Sequence, residues 1–467
     1  MRIDTDSNTA EHIAPMRPAC QDGVIISDGQ LYWGPWMCGC QLSLYGHISL
    51  APAGNFDFQP PIDNSRLETG AGDITSVANF KIQEGDWPTY QGNNNRTPYS
   101  KVNIPKEIET KWTVDATTAI PTAPVVAGGM VFIADRKGVV KAIDADGERK
   151  WKAYTGGAIY FPPALARGRV YVGSADGWVY AFEAQTGRRL WRFRLGPAGR
   201  RIPVYGKLIS TWPVAGGVVV HKGVIYAAAG IAHYDGTYVV ALDAVTGKVK
   251  WYNDTSGSLS EKVNSGISLQ GSLSIQGNEL CFTGGGVYQT ARYDLKTGKC
   301  LNSPHEGLNS RFPTAFYAYF PEYAQYQSLS RGYPDGKLLR YNASYEGSQH
   351  SSLALMGPIL KTDQKPAAQT DRRTDGRRRQ PQRNVIWQDK FGTRFKGFIV
   401  SPDVLLAAGL RTTGDKAASS LAAIRIKDGT VIWRKELPAP VVKGGVAVDS
   451  KGRIVVALEN GRIVCVQ

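Results

Sequence analysis

Short apolar runs rich in Val, Ile, Ala and Tyr alternate with turns bearing Gly, Asp and Thr along most of this chain. Apolar runs of this length, bounded by such turns, predict β-strands joined as hairpins. The runs also recur. One unit reads PTAPVVAGGMVFIADRKGVVKAIDADGERKW and ends at Trp151. The next, FPPALARGRVYVGSADGWVYAFEAQTGRRLW, ends at Trp191. A third, with a longer loop, closes GTYVVALDAVTGKVKW at Trp251. Each holds four apolar runs, and the first two repeat at about 40 residues, the length of a four-stranded propeller blade.

The turn before the last strand of each unit carries the signature. It runs Asp144 to Gly147, Glu183 to Gly187 and Asp243 to Gly247, with Trp151, Trp191 and Trp251 four residues beyond the Gly. Gly supplies the positive φ of a tight turn. A large flat ring at a fixed place in each unit suits the wedge between neighbouring sheets. The register weakens at Asp294 to Gly298, where Asn302 takes the Trp place, and returns at Arg425, Gly429 and Trp433.

The ends bear on closure. Residues 457–466 align with residues 134–143, so the chain stops after the third strand of a blade. Asp4, Asn8 and His12 have the spacing of the missing strand, and Asn tolerates the left-handed conformation of the turn Gly. The expected fold is all-β: a β-propeller of about eight four-stranded antiparallel blades, closed by the N-terminal strand joining the C-terminal blade, which leaves no open edge in the ring. The expected divisions are a closing strand at 1–12 and a first blade with a long excursion at 20–112. Regular blades follow at 113–302, then a distorted blade at 303–387 with a basic insertion at 361–384, and the last blades at 388–467.

Composition adds little to the fold and more to the partners. The 467 residues exceed a single ordinary core, a limit that stacked repeats escape. Net charge is +15, and much of the excess lies between Arg372 and Arg383, a solvated loop in character. The basic runs carry no nucleic-acid-binding signature. No stretch is apolar enough to span a bilayer as a helix, and the N-terminus shows no signal peptide. The six cysteines are too sparse for a disulfide framework.

The turn pattern Ala-x-Asp-x-x-Thr-Gly-x-x-x-Trp resembles the pyrroloquinoline-quinone (PQQ)-like repeat of quinoprotein alcohol dehydrogenases and of the outer-membrane assembly lipoprotein of Gram-negative bacteria. DWPTYQGNNNRTPYS resembles the segment that opens many such propellers. RPACQDGVIISDGQLYWGPWMCGCQLSLYGHISLAPAG, with the stretch from DGWVYAFEAQTGRRLW onward, resembles large propeller proteins of planctomycete-type bacteria. The resemblance implies a periplasmic or cell-envelope setting and a chain that is part of a longer polypeptide. It also implies that a catalytic member would hold PQQ and Ca²⁺ through Glu, Asn, Asp and a stacking Trp, usually beside a disulfide of adjacent cysteines. No such set maps onto this sequence, which has neither adjacent cysteines nor a Cys-x-x-Cys-His haem motif.

Three candidate sites remain. Cys20, Cys38 and Cys40, with His12 or His47, could share a soft metal; a disulfide or free thiols are the alternatives. Cys281, Cys300 and Cys465 read as core. An aromatic stretch from Phe312 to Tyr326, with Phe316, Tyr317 and Tyr319 beside Arg311, offers a ligand face if it lies on a loop and core if it does not. Basic residues recur at Arg331 and at Arg192, Arg194, Arg200 and Arg201. Gly284-Gly285-Gly286 lacks a phosphate-loop Lys and reads as a bulge or turn. The sequence is therefore read as a non-catalytic platform that takes a protein or polymer at its loop face. The alternative is a PQQ-dependent oxidoreductase.

Overall fold

The computed structural model describes residues 2–11, 24–33, 48–50, 66–204, 207–231, 236–259, 266–284, 288–303, 328–342, 352–360, 383–389, 393–413 and 416–467. It is a β-propeller. Among these residues seven antiparallel sheets follow the repeat, each running outward from its first strand. Blade A comprises Val125–Ala127, Met130–Ala134, Val139–Ile143 and Arg149–Tyr154. Blade B comprises Ala164–Ala166, Arg169–Gly173, Trp178–Glu183 and Arg189–Arg194. Blade C comprises Val218–His221, Val224–Ala229, Tyr238–Asp243 and Val249–Asn253. Blade D has three strands, Gln270–Gln276, Glu279–Gly284 and Tyr288–Asp294, with a single bridge from Tyr293 to Cys300 in place of a fourth.

Blade E follows with Leu329–Gly332, Leu338–Asn342, Ser352–Ile359 and Arg383–Gln388. Blade F is Arg394–Val400, Val404–Thr413, Lys416–Arg425 and Val431–Leu437. Blade G is Val441–Val448, Ile454–Leu458 and Arg462–Val466, completed by Thr110–Asp115.

Burial follows position in the blade. The second strand Met130–Ala134 is buried along its whole length, whereas the outer strand Arg149–Tyr154 alternates buried and exposed over its second half. That alternation is what a strand with one wet face requires. Apolar clusters join A to B, B to C, C to D and E to F, and one cluster joins F, G and A.

Closure differs from the expectation. The strand that completes blade G is Thr110–Asp115, with Trp112 opposite Cys465. The N-terminal strands Arg2–Asp4 and Thr9–Glu11 form a separate two-stranded hairpin, its turn passing through Asn8 at φ 55°. The physical reason is the indole. Trp112 donates to Ala145 O of blade A at 2.7 Å and packs on Gly147, which fastens this strand between blades G and A. The predicted first blade is corrected with it. Ile25–Ser27, Gln30–Trp33 and Ile48–Leu50 do form a three-stranded sheet. Of the later part of that region, Leu67–Thr69 pairs as a fifth strand on blade B and Thr110–Asp115 belongs to blade G.

The wedge role of the tryptophans is met at five junctions. Trp112, Trp151, Trp191, Trp251 and Trp387 lie over Gly147, Gly187, Gly247, Gly298 and Gly429 of the following blade. Each indole N–H donates to a carbonyl of that same turn, at 2.7–3.1 Å. A Cβ at Gly187 would stand 2.6 Å from Trp151 Cδ2, and φ is 74° there, so both ring and backbone demand Gly. Trp433 faces the place where the chain closes and donates instead to Pro105 O at 2.8 Å.

Candidate functional site

The axis of the ring is where a propeller holds a ligand, so the groups that reach it define what the fold can do. One end is occupied by the chain itself. Residues 86–100, the stretch DWPTYQGNNNRTPYS, touch the innermost strand of every blade from A to G. Trp87 exchanges two backbone bonds with Val126 of blade A, at 2.8 and 2.9 Å, and Pro88 O accepts from Leu165 N of blade B at 2.8 Å. Asn94 O accepts from Ile275 N of blade D, and its side-chain amide donates to Val220 O of blade C, both at 2.8 Å. Pro98 and Ser100 bond to Val400 of blade F, the Tyr99 hydroxyl donates to Ser330 O of blade E at 3.0 Å, and Gly444 of blade G lies against the Tyr90 ring.

Local sequence makes this crossing possible. Gln91 and Gly92, both at positive φ, turn the chain sharply, and Gly92 sits under the Trp87 ring. Asn93 then ties the following loop through the backbone of Thr97. Arg96 pins the segment from within. Its guanidinium donates to Leu273 O at 2.7 Å, and to Thr89 Oγ1 and Tyr90 O, each at 2.9 Å. It also lies over the Tyr90 ring. Burial pushes its pKa down to about 10, and its donors face carbonyl and hydroxyl oxygens rather than a carboxylate. A planar fork suits such a set, because its donors can serve several acceptors at once.

The turns between the second and third strands of blades A, B and G carry carboxylates. Asp135 is buried and accepts from the amides of Lys137 and Val139 at 2.9 and 3.0 Å and from the Thr117 hydroxyl at 2.6 Å, with Lys141 at 3.7 Å. Asp176 accepts from Gly156 N at 2.7 Å, the Tyr180 hydroxyl at 2.6 Å and Trp178 N at 3.1 Å. Glu459 is paired with Lys396. The segment's own Asp86 holds Gln83 N, Gly128 N and Ser450 N. These carboxylates are fastened to turns. A general base or a Ca²⁺ ligand needs an oxygen left open, and a hard cation takes six to eight of them. Among the described residues no three of His, Cys, Asp and Glu stand where they could share a metal. These described donors do not fit a Ca²⁺–quinone pair.

Several sequence candidates lie outside the described residues: Cys20, Cys38, Cys40, Arg311, Phe316, Tyr317 and Tyr319. Cys281 and Cys465 are buried free thiols and Cys300 is partly buried. Burial pushes the Cys465 thiol up to about 11, so it is packing, not a nucleophile. Arg331 is spent on stacking over Tyr99 and Tyr333 at 4.4 and 5.2 Å. Arg192 pairs with Glu68 at 2.6 Å and lies over Trp178. At Gly284 the register of blade D shifts, as the Gly run suggested. The sequence marks residues 86–100 as resembling a propeller's opening segment and 86–92 as part of an excursion, but assigns neither a place on the axis. Their axial role had one available signal, a cluster of Trp, Tyr, Asn and Arg too polar for a strand and too aromatic for a loose loop.

The family model described as outer membrane protein assembly factor BamB matches residues 108–322 and 417–467. The chain belongs to that family of PQQ-like repeat proteins. The matched stretch opens at the strand that closes blade G and covers blades A to D, the outer half of F and the whole remainder of G. No curated protein matches the chain. Among solved structures it is similar to a europium-containing methanol dehydrogenase, with 12% identity, 80% of this chain and 89% of that one covered, and a TM-score of 0.49. A quinohemoprotein alcohol dehydrogenase from Comamonas testosteroni gives 15%, 81%, 72% and 0.43. BamB from Moraxella catarrhalis gives 13%, 73%, 82% and 0.31. Among the described residues of this PQQ-like repeat protein, no helix is long and apolar enough to cross a membrane.

Proposed function

We infer that this propeller is a non-catalytic binding platform for a protein or polymer, in the manner that the BamB description of its family suggests, and that its setting is the cell envelope. The observation that carries this reading is the axial segment. An end of the ring packed with Trp87, Tyr90 and Arg96, each bonded to or stacked on the chain itself, leaves the loops rather than the axis for recognition. The state of Asp135 and Asp176 supports it further, since both carboxylates are committed to turn amides and hydroxyls.

The alternative, a PQQ-dependent oxidoreductase, has one observation in its favour. Lys443, on the inner strand of blade G, is partly buried, and burial alone holds its ammonium below the ordinary lysine range. A cation there suits an anionic quinone. The deciding experiment is a titration with PQQ and Ca²⁺ followed by tryptophan fluorescence, with dye reduction tested on alcohols and sugars. Under the platform reading no saturable quenching appears at micromolar PQQ. Tight quenching with dye reduction would make the protein a quinoprotein.

A further inference from the structure

Residues 71–83 of this chain lie as an extended segment along the hairpins of blades A and B, and that junction shows what a groove between two blades of this ring is built to hold. Phe80 is seated against Gly128 of blade A and Gly168 of blade B, and Val77 also contacts Gly168. The backbone of the segment is gripped by charged side chains. Arg169 donates to the carbonyls of Ile74 and Thr75 at 3.1 and 2.7 Å, Arg188 donates to Ser76 O at 3.2 Å, and Glu183 accepts from Ala78 N at 2.7 Å.

The corresponding place between blades E and F is a groove of about 830 Å³ that no described residue fills. The equivalence follows from the ladder. Ala184 N bonds Gly168 O in blade B, and Ile426 N bonds Asp403 O in blade F, both at 2.9 Å. Arg425 therefore stands where Glu183 stands in blade B. The floor is apolar, with Ile104, Leu355, Val404, Ile426 and Ile432. Four cations, Lys106, Lys337, Arg425 and Lys427, line it against two carboxylates, Asp335 and Asp403. Lys337 is paired with Asp335 and Arg425 with Asp428. Lys106 and Lys427 are exposed and form no ion pair among the described residues. At the wall, the Tyr333 hydroxyl is buried without a hydrogen-bond partner among the described residues, and its ring forms part of the apolar lining.

We propose that the groove between blades E and F binds an extended acidic peptide of a partner protein, with an aromatic or aliphatic side chain on the apolar floor, as the A–B groove holds Val77 and Phe80. The exchange of Glu183 for Arg425 at the equivalent position changes the preference from a neutral backbone to a carboxylate-bearing one. The volume is that of an ordinary ligand site. This rests on the platform reading and names its partner class.

The test is selection of phage-displayed random dodecapeptides on the full chain, with a Lys106→Glu, Lys427→Glu double variant as the counter-target. Both lysines are exposed, so the variant keeps its melting temperature. The expected result is enrichment of peptides with Asp or Glu flanking an aromatic or aliphatic residue. A fluorescein-labelled copy of such a peptide binds the wild type at least tenfold more tightly than the variant and loses affinity as salt rises. Peptides that bind both proteins alike would overturn the groove proposal and leave the platform reading standing. A selection without binders, with a melting temperature lowered by the lysine changes, would overturn it in favour of a segment of this chain as the groove's own occupant.

Discussion

Gly187 lies under the indole of Trp151 with φ at 74°, and the same pair of demands falls on the turn glycine at four other junctions. Gly187→Ala meets both at once. It is expected to destabilise the fold by about 1–3 kcal/mol, read as a lowered urea midpoint with the slope unchanged. Trp191, wholly buried, is worth more; Trp191→Ala should cost about 3–5 kcal/mol. The turn carboxylates give a pH dependence. Hydrogen bonds from the backbone and side chain of Thr430 hold Asp428 down at about 2 from an ordinary 3.8, and bonds from the side chain and backbone of Thr297 lower Asp294. A carboxyl whose pKa is depressed by folding stabilises the fold above its unfolded value and loses that contribution as pH falls through the folded one. Urea midpoints are therefore expected to fall between about pH 4 and pH 2, and Asp428→Asn to flatten part of that fall. Gly187, Trp191 and Asp294 were legible in the sequence because a turn and the Trp four positions on are a local pattern, while Asp428 went unread behind Arg425, which holds the Asp place of its turn. Arg96 was not, since its partners are carbonyls scattered over distant strands, and no side-chain pairing in the sequence announces them.

At the scale of elements, the strand spacing was readable and the strand exchange was not. Asp4, Asn8 and His12 offered the right intervals, whereas Trp112 has Ile108 and Ile104 where the turn Gly and Asp would stand. Spacing therefore favoured the wrong run, because any alternating run can pair with an open edge. What marks Thr110–Asp115 in the structure is the Trp112 indole, which docks on the Ala145–Gly147 turn of blade A. Removing residues 1–11 should shift the melting temperature by less than about 2 °C, whereas removing residues 1–115 should abolish cooperative unfolding; calorimetry on the two truncations distinguishes the closures. The fifth strand of blade B, Leu67–Thr69, is too short to be read from pattern and is held by pairing with residues 191–193.

For the whole molecule, the segment across the axis acts as a common tie, since it bonds to or packs on all the described blades. Arg96→Ala should cost about 2–4 kcal/mol, because it removes a buried cation and leaves several carbonyls without donors; loss of protection at residues of different blades together, followed by hydrogen exchange, checks that the effect is shared. The fold was visible in one dimension because its repeats are local. The use of the axis was not, because it depends on where one long excursion comes to rest. Closure by Thr110–Asp115 also bears on biosynthesis. The strand leaves the ribosome first, yet its neighbour Arg462–Val466 follows roughly 350 residues later, a wait of about 20–70 s at roughly 5–20 residues per second. Through that interval Trp112 and its strand are an unmated edge on a nascent chain. The cell must shelter this end of the protein until translation delivers the other, and a chain broken between them should regain its fold only when both pieces are made in the same place.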